Sequence, residues 1–260
     1  MVTELGLGAM DTPKSDEGEE TLQQASDLGI NFVDTARIYE GSEFLIGQVV
    51  RRGEAKRFHL ATKTINRTRD GSQYDVDRSL QLLGVDRIDL YQLDDVSTEE
   101  DWEQVMQEQG ALTGLKIARE RGLIGHIGIS SHSLEILGKA IDCGEFDTVM
   151  LEYSAFYRDT EPLIAQAKQR DVGTIAMRPL GGSGRMSSLR NRMAASGGES
   201  GLTPATLLRY VLSNPDISVA IPGVRFPSRV RQNVELASAY EPLDESQKRR
   251  CEAEAMRLFT

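Results

Sequence analysis

The chain has 260 residues, 39% hydrophobic and 27% charged, a balance suited to a soluble globular protein rather than a disordered one. A formal net charge of −10 argues against a general affinity for nucleic acid or an anionic membrane. Its two cysteines, Cys143 and Cys251, stand far apart in no metal-binding spacing and point to a reducing compartment; with no leader-like start in MVTELGLGAM, a cytoplasmic location is expected.

Short apolar runs alternate with amphipathic segments along nearly the whole chain. TELGLGAM opens as a strand, and EGEETLQQASDLG follows as a predicted helix, with Leu22, Ala25 and Leu28 near one face and Gly29 as its stop. INFVDTA, FHLATKT and IDLYQLDD read as the second to fourth strands. EEDWEQVMQEQGALTGLKIARERG reads as one long helix stopped at Gly122. IGHIGISS, SLEILGKAIDCG, TVMLEYS, EPLIAQAKQRDVG and GTIAMRPL continue the alternation. The Gly/Ser-rich, basic residues 181–201 read as a loop after the seventh strand. TPATLLRYVLSN, with Pro204 suited to a first helical turn, and SVAIPG complete eight units.

Strand and helix repeated eight times give a parallel sheet with right-handed crossovers, which closes naturally into a (β/α)8 barrel, one domain over residues 1–260. A doubly wound open sheet would place a G-x-G-x-x-G turn after its first strand, and GLGAMDTP supplies none.

Barrel chemistry collects at the C-terminal ends of the strands. Those ends carry Asp34, then Tyr39 five residues on, Lys63 and Asp94. A phenol is a poor acid or base at neutral pH; a nearby ammonium favours its ionised form, and the phenol can still protonate a developing alkoxide. Asp34 would keep Lys63 charged and oriented. The same residues also allow a purely structural Asp34–Lys63 pair that closes the barrel, with Tyr39 on a loop.

The runs DTARIYEGSEFLIGQVV, LATKT, RIDLYQL, GHIGISSHS, RPLGGSG and IPGVRFPSRVRQNVE resemble, in order, the motifs of the aldo-keto reductase superfamily. That resemblance covers almost the entire chain. It implies a (β/α)8 barrel, extended binding of NADP(H) without a Rossmann fold, and an Asp–Tyr–Lys–His tetrad whose first three members fall on Asp34, Tyr39 and Lys63. Where the family has Leu-His, this chain reads Leu93-Asp94. As a neutral acid Asp94 would donate to a carbonyl oxygen; ionised, it would repel a developing oxyanion or simply pair with Lys63. A related branch that reduces enones carries Glu there.

The resemblance also implies the cofactor pocket. Ser130 and Ser131 stand where Ser-Asn binds the nicotinamide carboxamide, Met150 where Gln is common, and Met177 where an aromatic usually stacks on the nicotinamide. Arg178, Pro179, Leu180 and Gly181 continue the seventh-strand motif; Gly181, Gly182, Gly184 and Arg185 would approach the pyrophosphate. Arg229 and Asn233 would meet the adenosine 2′-phosphate and adenine; Gly223 stands where some members have Lys, a charge that Arg225 would supply, and the set favours NADP over NAD.

His132, just beyond the serine pair, is a candidate replacement for the missing His; His59 and His126 read as structural, and no metal spacing is present. Arg37 would favour an anionic substrate or be solvated. The expected activity is NADP(H)-dependent reduction of a small carbonyl or conjugated carbonyl compound. Departures at Asp94, Met150 and Met177 leave open a cofactor-binding sensor or a redox-neutral lyase or epimerase. The expected partner is a small-molecule carbonyl substrate, with no nucleic acid or membrane, and a monomer is the simplest assembly.

Overall fold

A computed structural model describes residues 1–53, 58–182 and 201–259. Its eight strands are β1 (Leu7–Gly8), β2 (Phe32–Asp34), β3 (His59–Thr64), β4 (Ile88–Leu93), β5 (Ile124–Ser130), β6 (Thr148–Glu152), β7 (Gly173–Met177) and β8 (Val219–Ile221). Each pairs in parallel with the next, in sequence order. Parallel bridges Leu5↔Ala220 and Gly8↔Gly223 bring the first strand round to the last, so the expected barrel is the fold observed.

Period-two alternation sorts each strand's side chains between two cores. Inside the barrel, Phe32, Ala61, Leu90, Met150, Ile175, Val219 and Ile221 form one cluster, with Met177 packed above it. Outside, Val33, Tyr91, Ile127, Val149 and Ala176 meet the helices in a second, larger cluster. The first strand has no room for an inward side chain: a Cβ on Gly6 would stand 2.9 Å from Val219 and 3.0 Å from Phe32.

The helices are α1 (Asp16–Asp27), α2 (Ser42–Arg51), α3 (Arg69–Leu83), α4 (Glu99–Met106), α5 (Ala111–Glu120), α6 (Leu134–Asp142), α7 (Glu161–Gln169), α8 (Pro204–Leu212), α9 (Pro227–Ala239) and α10 (Glu245–Phe259). Thr68, Thr98, Ser133 and Thr203 accept first-turn N–H groups at the starts of α3, α4, α6 and α8, satisfying amides that the helix itself leaves open. No helix among the described residues is long and apolar enough to cross a membrane.

One segment departs from its sequence reading. The long helix expected through EEDWEQVMQEQGALTGLKIARERG is two, α4 and α5, because Gln107 turns extended (ψ 165°) and Gly110 opens the second. At Gly110 the carbonyls of Gln104 and Val105 lie 2.4 Å from where a Cβ would sit, so the reversal needs a glycine. The expected loop over 181–201 falls almost wholly outside the described residues, as do Gly184 and Arg185.

Packing of α3 against α5 gives a test with an internal control. A Cβ on Gly114 would fall 2.1 Å from Ser72 Oγ and 2.3 Å from the Arg69 carbonyl. Gly114→Ala is therefore expected to destabilise by about 1–3 kcal/mol through overpacking. Gly138 in α6 has only Leu163 nearby, at 3.8 Å, so Gly138→Ala should stabilise by about 0.5–1 kcal/mol through helix propensity. Urea midpoints followed by circular dichroism would show opposite shifts; equal signs would contradict this packing.

Candidate active site

The C-terminal mouth of the barrel gathers the expected groups on neighbouring strands. Lys63, on β3 and only 1% exposed, donates from Nζ to Asp34 Oδ2 at 2.6 Å and to the Thr35 carbonyl at 2.7 Å. The second oxygen of Asp34 accepts Gln92 Nε2 at 3.2 Å. Gln92 lies in register with Lys63 and shares the inward face of β4 with Leu90. The Lys63 ammonium stands 5.0 Å from the centre of the Tyr39 ring, so aspartate, ammonium and phenol form one contiguous group.

The loop carrying Tyr39 is tied down on its outer side. Thr35 and Arg37 extend the β2–β3 pairing by donating N–H groups to Ala61 and Lys63. The Arg37 guanidinium pairs with Glu43 and Asp75. Glu43 in turn accepts Thr62, and Asp75 accepts Thr64 and Asn66. Arg37 is thus not a solvated loop charge; it ties the loop to Glu43 on α2 and Asp75 on α3.

These neighbours set the ionisation of the group. Burial alone would lower Lys63, but Asp34, Tyr39 and Asp94 around it outweigh that and its pKa is raised. Complete burial raises Asp34, with Lys63 and Gln92 opposing. Burial also raises Tyr39: Lys63 pulls the phenol down, while Asp34 and Asp94 push it up. The ammonium was expected to favour phenolate, and instead the phenol stays protonated well into alkaline pH.

Asp94 turns into the mouth, 7% exposed, but does not pair with Lys63. Its Oδ1 accepts Ser130 Oγ at 2.9 Å, and that same hydroxyl accepts the Asp95 N–H at 2.8 Å. Ser131, of opposite strand parity, instead accepts the Ser133 N–H at 3.0 Å at the entry to α6. His132 makes no hydrogen bond to the four expected catalytic residues; its Nδ1 lies 4.0 Å from Glu152.

Around the rim, Met150 is sunk in the inner cluster and Met177 lies at the upper edge of it. Arg178 has a φ of 52° and pairs with buried Glu152 at 3.0 Å. Pro179 and Leu180 form the turn closed by Gly181 N–H to the Arg178 carbonyl, followed by Gly181 and Gly182 at positive φ. Gly223 pairs with Gly8. Arg225 meets Asp11 at 3.2 Å, Arg229 bonds Gln232, and Asn233 is half-buried on α9. Gln92, Glu152 and Arg67 were not expected from the sequence, though the inward parity of the first two with Leu90 and Met150 was there to be read.

The family's sequence model, described as the aldo/keto reductase family, matches residues 4–255. The chain belongs to the aldo/keto reductase family. Among curated relatives it is similar to the oxidoreductase YqkF of Bacillus subtilis, 25% identical over 92% of this chain and 88% of that one. It is also similar to the aldo-keto reductase yakc [NADP(+)] of Schizosaccharomyces pombe, 31% identical over 68% of this chain and 56% of that protein. In fold it matches the aldo-keto reductase AKR11C1 from Bacillus halodurans in its holo form, with a TM-score of 0.79 and 21% identity, covering 99% of this chain and 92% of that one.

The buried pair at the centre of this aldo/keto reductase mouth makes a stability prediction. Asp34→Asn would leave a buried ammonium without its anion, a change expected to cost about 3–5 kcal/mol. Asp95→Asn, at an exposed position of positive φ that Asn tolerates, should stay within about 0.5 kcal/mol of the parent. Urea denaturation of both would decide; an Asp34→Asn protein as stable as the parent would mean that Lys63 does not depend on Asp34 for its charge.

Proposed function

We propose that this aldo/keto reductase reduces small neutral carbonyl or conjugated carbonyl compounds with NADPH, Tyr39 delivering the proton. The observation that carries the reading is the Lys63 ammonium, bonded to Asp34 and facing the Tyr39 ring at the barrel mouth. The raised phenol suits the reduction direction, because it keeps its proton at neutral pH and gives it up once an alkoxide develops. Lys63 and Asp34 act through Tyr39: the ammonium offsets the charge left on the phenol oxygen, and Asp34 keeps that ammonium in place. A site in the cytoplasm fits its two free cysteines.

The residues present suit NADPH best at its adenosine end. Arg225 and Arg229 are exposed beside the start of α9, where first-turn amides and guanidinium groups together favour a phosphate. Met177 offers an apolar edge to a ring, and the relative from Schizosaccharomyces pombe bears NADP(+) in its name. When bound, the nicotinamide supplies a hydride. The chain's own task is to orient the carbonyl and move one proton at its oxygen.

Three outcomes test this reading. In NADPH oxidation across aldehydes, dicarbonyls, enones and 2-oxo acids, Tyr39→Phe should lower kcat by about 100-fold or more with NADPH binding retained, and the 2-oxo acids should be poorest. Saturable binding without turnover on any of them would sink the reductase reading and leave a sensor or a redox-neutral enzyme. The phenol is required in its acid form for reduction, and its pKa is raised. The reduction rate should therefore hold level through mildly alkaline pH and fall only above about 10, while the reverse oxidation rises with pH; a fall centred between about 7 and 9 would show the opposite shift. Arg229→Gln should weaken NADPH binding about tenfold and leave NADH within about twofold.

A further inference from the structure

The family resemblance assigns Ser130 to the nicotinamide carboxamide, but its bonds lead elsewhere. The Asp95 N–H, 2.8 Å from Ser130 Oγ, can only donate, so it occupies a lone pair of the hydroxyl. The hydroxyl's single proton is then directed to Asp94 Oδ1, 2.9 Å away. Ser130 keeps one lone pair but has no proton left to give a carboxamide oxygen. Asp94 Oδ1 is in turn fixed as an acceptor, while Oδ2 makes no hydrogen bond to any described residue.

The backbone beneath that carboxyl is gripped as well. Arg67 donates from Nη1 to the Asp94 carbonyl at 2.7 Å and from Nη2 to the Asp95 carbonyl at 2.9 Å, and its Nε holds Asp101 on α4 at 2.8 Å. The Asp94 N–H donates to the Thr64 carbonyl. Asp95 is held at a φ of 47°, a region that non-glycine residues seldom enter unless their surroundings enforce it. Ending a strand requires none of this. Together the bonds remove the freedom of the Asp94 carboxyl to rotate and present either oxygen.

We infer that Ser130 is a positioning residue for Asp94, holding Oδ1 so that Oδ2 is the oxygen left to meet the substrate, and that it gives no proton to the cofactor amide. The kinetic part of this inference rests on the reductase reading; the geometric part does not. Asp94 would then present one fixed carboxyl oxygen to the substrate, at the position where the resembled family reads His, with the serine engaged by that carboxyl.

The experiment compares the parent, Ser130→Ala, Ser130→Thr, Asp94→Asn and the Ser130→Ala/Asp94→Asn double variant, each checked for folding by thermal melting. Three quantities are read: the Asp94 carboxyl 13C resonance at neutral pH, assigned by its loss in Asp94→Asn; the Kd for NADPH; and kcat on the best substrate. Ser130→Ala should move the Asp94 resonance and leave that of Asp34 in place. It should lower kcat about tenfold, the effect of one hydrogen bond, and hold the NADPH Kd within about twofold, whereas Ser130→Thr restores both resonance and rate. In the Asp94→Asn background the loss of Ser130 should change kcat by less than about twofold, since the two act as a unit. An unmoved resonance would overturn the inference. So would NADPH binding weakened about tenfold in both backgrounds, which would return Ser130 to the cofactor. A parent without turnover whose Asp94 resonance still answers to Ser130→Ala would end the reductase reading and keep the positioning role.

Discussion

A lysine buried to 1% exposure inside a barrel is tolerable only if its charge is answered where it stands. The Lys63–Asp34 pair and the Thr35 carbonyl give that answer, and much of the upper barrel follows from them. Asp34 must end β2, so that its carboxylate reaches across to β3. Gln92 must point inward from β4, because the second oxygen of Asp34 would otherwise lack its donor. The loop after β2 must then leave the sheet directly over Lys63, and that brings Tyr39 to the ammonium. The ion pair is thus a constraint on three strands and one loop, and the phenol stands where it does as a consequence.

Positioning a phenol on a loop is harder than positioning a lysine on a strand, since a loop brings no ladder of its own. Here Arg37 compensates from the far side of β3. Its pairs with Glu43 and Asp75 engage carboxylates that already accept Thr62, Thr64 and Asn66. The outward face of β3 therefore serves the loop, while its inward face serves the site. This division also explains why the phenol is raised and not lowered. A loop pinned this closely buries the ring, and burial with two carboxyls nearby outweighs one ammonium.

Much of this was legible in the sequence, because period-two strands announce which residues share a face. Asp34, Lys63 and Asp94 could be placed at one mouth from their positions at strand ends, and eight alternating units left little choice of fold. What could not be read was the partner of each side chain across the barrel. Ser130 and Asp94 lie on adjacent strands, 36 residues apart, and only the register of β4 against β5 brings them together. Arg37 looked like a loop charge because Asp75, one of its anchors, belongs to α3, whose buried Ser72, Asp75 and Ser79 carry little apolar signal. The break between α4 and α5 was hidden for a similar reason: Gly110 sits in a run of good helix formers, and the carbonyls that exclude a Cβ there are set by the folded turn.

The charge around the mouth bears on which carbonyl compounds it suits. Arg37, the cation that would have welcomed an anionic substrate, is committed to Glu43 and Asp75. Lys63 is committed to Asp34, and Arg178 to Glu152. Asp94 adds a further carboxyl with no cation within ion-pair distance among the described residues. A substrate carboxylate entering here would lose water and gain no unclaimed positive partner among the described residues. On the proposed reading, a neutral carbonyl meets no such barrier at its approach, and it develops negative charge only at the oxygen, where Tyr39 would give the proton. On that reading, the pairing of Arg37, Lys63 and Arg178 with carboxylates of the chain itself favours uncharged substrates.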